Sequence, residues 1–81
     1  MYTLYILYSK NLDRFYVGYT NDLVRRLREH NRIKGKYTDT GIPWELVYNE
    51  TFETKKDAMA MEKFIKSRKS KKYILDLIAQ R

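Results

Sequence analysis

Tyr2-Thr3-Leu4-Tyr5-Ile6-Leu7-Tyr8 at residues 2–8 and Phe15-Tyr16-Val17-Gly18-Tyr19 at residues 15–19 decide how this chain folds. Both are runs of aromatic and branched residues, which is strand composition. Between them lies Ser9-Lys10-Asn11-Leu12-Asp13-Arg14, polar turn material. So short a link makes the pair an antiparallel hairpin. With a loop of two or four residues, odd positions of the first strand share a face with even positions of the second. Tyr5 and Leu7 then lie with Tyr16 and Gly18. Two phenols converge beside a glycine, and a glycine inside a strand often marks a close approach by a ligand or neighbouring group.

Outward from the hairpin, Thr20-Asn21-Asp22 offers N-caps for a helix over about Asp22–Arg32. Leu23, Val24 and Leu27 form its narrow apolar stripe. Residues 34–43 hold Gly35, Gly41 and the only proline, Pro43, and read as a loop. Trp44–Phe52 reads as a third strand. Thr54 caps a second helix over Lys55–Arg68, with Ala58, Met61 and Ile65 on its buried face. Ser70 caps a short last helix through Tyr73, Ile74, Leu77 and Ile78. The order β-β-α-β-α-α is that of an α+β domain, one small antiparallel sheet with helices packed on it. The first helix is a crossover, so the third strand need not lie beside the second.

At 81 residues the chain is read as a single domain over 1–81, with a small core. There is no cysteine, which excludes a disulfide framework, a thiolate zinc site and a cysteine nucleophile and fits a reducing, cytoplasmic setting. One histidine excludes a multi-histidine metal cage. No apolar run approaches the ~20 residues that span a bilayer. The first ten residues lack the basic segment of a signal peptide.

The net charge of +7 points to a polyanion, nucleic acid before an acidic membrane. It is unevenly spread. Residues 22–36 carry +4, residues 58–81 carry +5, and residues 37–57 between them carry −3. The two basic segments are helical. Arg25, Arg28 and Arg32 on the first, with Lys66, Lys69, Lys71 and Lys72 on the later ones, are candidate backbone-holding groups. The acidic segment is expected to face away. Neither basic helix carries a wide aromatic face, which disfavours a membrane role.

Three further residues stand out. Arg26 and His30 are four apart on one helix face, a pairing suited to phosphate contact and proton handling. Glu62 falls about 40° from Ala58 and about 60° from Ile65 around the second helix, at the margin of its apolar stripe. A carboxylate held there is the usual kind of anchor for Mg²⁺. Each taken alone also reads as packing or a solvated boundary. Together they supply two phenols, a guanidinium, an imidazole and a carboxylate, a kit for phosphodiester hydrolysis without a second carboxylate for a two-metal site.

In this pattern the chain resembles the GIY-YIG nuclease superfamily, and within it the small stand-alone members. The first signature appears as Thr3-Leu4-Tyr5 and the second as Tyr16-Val17-Gly18, followed by Arg26, His30 and, in Met61-Glu62-Lys63, the position of the family's glutamate. The resemblance implies a three-stranded antiparallel sheet flanked by helices. It implies an endonuclease that cleaves nucleic acid with a divalent metal, Mg²⁺ or Mn²⁺, leaving 5′-phosphate and 3′-hydroxyl ends. DNA is the expected substrate before RNA, in repair or recombination, with a monomer and a weak homodimer both open. Carried over by position, Tyr5 activates or positions water, helped by Tyr16 or His30. Arg26 clamps the phosphate, Glu62 holds the metal, and Gly18 keeps the surface over the tyrosines open. A cation nearby, Arg26 or the metal, is expected to lower the Tyr5 pKa from ~10.

The sequence departs from the family in two places. Thr3 and Leu4 replace the first signature's glycine and isoleucine. The later asparagine that many members carry in the site is missing, because none follows Asn49. With no second domain expected, recognition by backbone or shape is more natural than by base sequence. The main rival is a non-catalytic nucleic-acid-binding domain on the same fold. A module that meets an acidic protein is the second.

Overall fold

The two opening runs form the expected hairpin, β1 (Tyr2–Ser9) and β2 (Arg14–Thr20), in the computed structural model, which describes residues 1–35 and 37–80. Lys36 and Arg81, counted in the two basic segments, lie outside the described residues. Tyr5 pairs with Gly18 and Leu7 with Tyr16, the parity a four-residue loop imposes. In that loop Asp13 sits at φ 51, and Leu12 N–H donates to Ser9 Oγ at 3.2 Å.

The third strand, β3 (Trp44–Phe52), pairs antiparallel with β1, so the sheet order is β2-β1-β3. The chain is α+β, with three antiparallel strands and flanking helices. A bulge between Ile6 and Leu7 inserts one residue of β3, shifting the register from Ile6–Tyr48 to Leu7–Leu46.

Central β1 is buried on both faces: Leu4, Tyr5, Ile6 and Leu7 are all essentially inaccessible. This explains why its apolar run is continuous and does not alternate. Each such side chain contributes roughly 1.5–3 kcal/mol by leaving water. On one face Leu4 and Ile6 pack with Val17, Ile65 and Leu77, which brings down helices α2 (Lys55–Arg68) and α3 (Lys71–Ala79). On the other, Tyr5 and Leu7 pack with Trp44, Leu23 and Leu27, which places helix α1 (Leu23–His30).

Helix ends follow their caps. Asp22, Thr54 and Ser70 accept from the N–H groups of Arg25, Asp57 and Tyr73. Helix α1 is shorter than Asp22–Arg32 and stops at Asn31. The Asn31 carboxamide donates to Leu27 O and Trp44 O, and its oxygen accepts from Trp44 N–H at 2.6 Å. This clasp ties the end of α1 to the start of β3. Val24 does not join the apolar stripe and is 69% exposed. So short a helix touches the sheet through Leu23 and Leu27, and Val24 lies about 100° from the first and about 60° from the second. The segment 34–43 is not wholly irregular: Tyr37–Gly41 makes a short 3-10 helix.

Candidate functional site

The hairpin register carries Tyr5 and Tyr16 to one face of the sheet, and α1 covers that face. Tyr5 is buried on the central strand, while Tyr16, on the edge strand, is 38% exposed. Their rings stack with centroids 6.4 Å apart and planes 16° from parallel. Gly18 makes this arrangement possible. A β-carbon there would lie 2.7 Å from Tyr5 Oη, 2.8 Å from Cζ and 3.3 Å from Tyr16 Cε1. The strand glycine is therefore a space for the Tyr5 phenol.

Helix α1 brings up the other groups of that face. His30 Nε2 lies 3.3 Å from Tyr5 Oη, and its ring meets Tyr16 edge-on with centroids 4.5 Å apart. Trp44 stands behind both. Arg26, one turn earlier on the helix, projects into an open cavity of about 390 Å³ lined also by Tyr5, Tyr16, Gly18 and, from α2, Glu62. Glu62 arrives from the helix layer on the opposite face of the sheet. The cavity thus wraps the open edge of β2. Glu62 keeps 20% of its side chain exposed and lies 3.6 Å from Lys66 Nζ, one helical turn on.

The structure thus brings Tyr5, Tyr16, Gly18, Arg26 and Glu62 to one cavity, with His30 behind Tyr5. The basic groups are divided. Lys66, Lys69 and Lys71 line a second groove beside β2 and α3, where Lys71 is tied to Asp13 at 2.9 Å. Arg25 pairs with Glu29 at 3.5 Å, and Arg28 and Arg32 are exposed on or just past α1. Lys72 is exposed on α3.

Five cavity residues were not among the candidates: Tyr2, Tyr19, Thr20, Asn21 and Lys55. Asn21 brings a carboxamide to the site from before α1, not from after Asn49. Lys55 had been counted with the acidic segment 37–57, yet it lines the site. Of the acidic residues of that segment, Glu45 and Glu50 lie on the far edge strand β3, while Asp57 is in the first turn of α2.

The electrostatics overturn one expectation. The Tyr5 pKa is pushed up to about 12, chiefly by burial and by Tyr16, and Arg26 only partly offsets the rise. At neutral pH, Tyr5 is a phenol. His30 moves the other way: burial, Lys34 and Arg26 hold it below its ordinary 6.5, while Glu29 pulls weakly upward. At neutral pH, His30 is an uncharged imidazole, and in the tautomer with its hydrogen on Nδ1 its Nε2 can accept the Tyr5 proton.

A pH dependence follows. Acidification through the lowered His30 pKa charges the ring and removes the acceptor. Any reaction that uses it therefore gains rate as pH rises, with a midpoint below 6.5, and stays level through neutral pH because Tyr5 does not ionise there. Single-turnover rates between about pH 5 and 9 check this, and His30→Gln should lose the acidic limb.

Glu62 is the only carboxylate lining the cavity among the described residues, and no group of three His, Cys, Asp or Glu side chains gathers there. One hard oxygen donor suits Mg²⁺ or Mn²⁺ provided waters and substrate oxygens complete the shell.

Known proteins share this organisation. The model of the GIY-YIG catalytic domain matches residues 1–74. The UPF0213 protein YazA of Bacillus subtilis is 44% identical over 69 residues, spanning 84% of this chain and 69% of that protein. The UPF0213 protein SpyM50708 of Streptococcus pyogenes serotype M5 is 46% identical over 65 residues, spanning 79% and 71%. The solution NMR structure of a UPF0213 protein from Bacillus halodurans aligns over 100% of this chain and 86% of its own, with a TM-score of 0.62 and 28% identity. No helix among the described residues is long and apolar enough to cross a membrane.

Proposed function

Because the chain belongs to the GIY-YIG family, with the nuclease-type function that the domain carries, we propose that it is a metal-dependent endonuclease whose reaction centre is the cavity at the open edge of β2. The observation that carries this reading is the convergence on one cavity of Tyr5, Arg26 and Glu62, drawn from a strand and from helices on opposite faces of the sheet. A binding domain has no need of a part-buried carboxylate among its cations.

In the proposed reaction the Arg26 guanidinium holds the scissile phosphate, and its fixed charge stabilises the negative charge that builds on the phosphoryl oxygens. Tyr5 Oη, at the cavity wall, positions the attacking water. As the water oxygen bonds to phosphorus, its proton passes to Tyr5 Oη while the phenolic proton passes to His30 Nε2, across the 3.3 Å contact. This route leaves the high Tyr5 pKa intact, since no free phenolate has to accumulate. Tyr16, half open to solvent, flanks the water. The bond from phosphorus to the 3′ oxygen breaks, and that oxygen takes a proton from solvent. Glu62 would hold the divalent metal, which when bound supplies positive charge to the phosphate and the leaving oxygen.

The substrate is DNA in preference to RNA, met through its backbone, in a cytoplasmic repair or recombination setting. The test is a panel of labelled duplex, flap, branched and single-stranded DNA and RNA, each with Mg²⁺ or Mn²⁺. Cleavage of at least one DNA form, abolished by chelation, is expected. Cleavage of RNA alone would overturn the substrate assignment.

A further inference from the structure

Helix α2 carries a pattern that the reaction centre does not use up. At 100° per residue, Lys55, Glu62 and Lys66 fall within about 40° of one another, so they form one row along the helix. Lys69, the left-handed C-cap at φ 48, ends that helix. At 1.5 Å per residue Glu62 stands about 10 Å from Lys55 and about 10 Å from Lys69, midway between them.

The surface is open on both sides of that midpoint. From Lys55 and Lys56 at the start of the helix as far as Lys63 runs an open groove of about 470 Å³ that shares Lys55 with the reaction cavity. Towards its end, Lys66 and Lys69 border a groove of about 490 Å³ together with Arg14 of β2. The ion pair between Glu62 and Lys66 joins this groove to the reaction cavity. Three adjoining depressions thus follow α2, with cations at both ends and the carboxylate in the middle.

We infer that α2 is a rail for the cleaved nucleic-acid strand, which lies along the helix with phosphates held on both sides of the cut. Lys55 and Lys56, at the start of the helix, hold one side. Lys66 and Lys69, with Arg14, hold the other. A duplex strand presents one phosphate per roughly 3.4 Å of axis, so each ~10 Å arm meets about three. Lysines are point charges that read no base, so the rail recognises a strand of any sequence. This inference rests on the nuclease reading for the place of the cut.

The test measures binding alone, in the Glu62→Gln protein, so that no strand is cut. Anisotropy titrations of a labelled duplex of about 20 base pairs, run across a salt series, give the slope of log affinity against log salt. Two double variants are compared: Lys55→Ala with Lys56→Ala, and Lys66→Gln with Lys69→Asn. Asparagine is chosen at 69 because it tolerates the left-handed cap. Lys10→Ala, in the β1–β2 loop, serves as the control. Each pair should flatten the slope by about 1.8, and the two effects should add; Lys10→Ala should change nothing. An unchanged slope in either pair overturns a two-sided rail, even if the wild-type protein cuts DNA. Flattened slopes in a protein that cuts nothing would keep the rail and remove the nuclease reading.

Discussion

Glu62→Gln is expected to lower cleavage by on the order of 10³-fold or more while leaving nucleic-acid affinity unchanged or slightly higher. Glutamine keeps the shape and hydrogen-bonding reach of the side chain but removes the charge a divalent metal needs. The fold has little at stake. The Lys66 partner is 56% exposed and 3.6 Å away, and such pairs contribute less than about 1 kcal/mol. No buried donor is orphaned by losing that pair, since Lys66 Nζ is on a side chain open to water. Single-turnover rates and anisotropy on the same preparation separate the two effects. A variant that cuts at the wild-type rate would show that Glu62 holds no metal that matters.

Arg26→Ala is expected to cost roughly 10²–10³-fold in the rate of the bound complex, with the melting temperature nearly unchanged. Arg26 is exposed, makes no salt bridge among the described residues, and alanine is the better helix former. Its charge is therefore available to a phosphate. Arg26→Lys should recover only part of the loss, because a point charge cannot replace a planar two-pronged donor. There is an independent readout. Arg26 helps hold the His30 pKa down, so in Arg26→Ala the His30 titration should move upward. An unchanged turnover would remove the clamp, and an unmoved His30 titration would remove the electrostatic contact.

The tyrosine pair was legible because two local facts fix it. Side chains alternate along strands, and the turn between the strands has an even length, so Tyr5 had to meet Gly18. Helix limits were legible where a cap stands, at Thr54 and Ser70. They failed where a tertiary contact ended the helix, at Asn31, whose partner lies 13 residues on. Lys55 was hidden for the same reason. It lies in a net-acidic stretch of sequence yet lines the same cavity as Tyr5 and Glu62, and only the packing of α2 on the sheet brings them together. The Tyr5 pKa needed the structure as well. The cation was foreseen and does pull downward, but the depth of burial that outweighs it is a property of central β1 covered on both faces.

Hydrolysis of phosphodiester bonds at the β2-edge cavity leaves a signature in the ends of the cut strands. The most direct measurement takes the DNA form bound most tightly, adds Mg²⁺ under single-turnover conditions, and analyses the ends of any new fragments. The wild-type protein should give fragments with 5′-phosphate and 3′-hydroxyl ends, stopped by chelation and absent with Glu62→Gln. Strands that stay intact in a fully bound complex, with Mg²⁺ and with Mn²⁺, would contradict hydrolysis at this cavity and leave a nucleic-acid-binding domain.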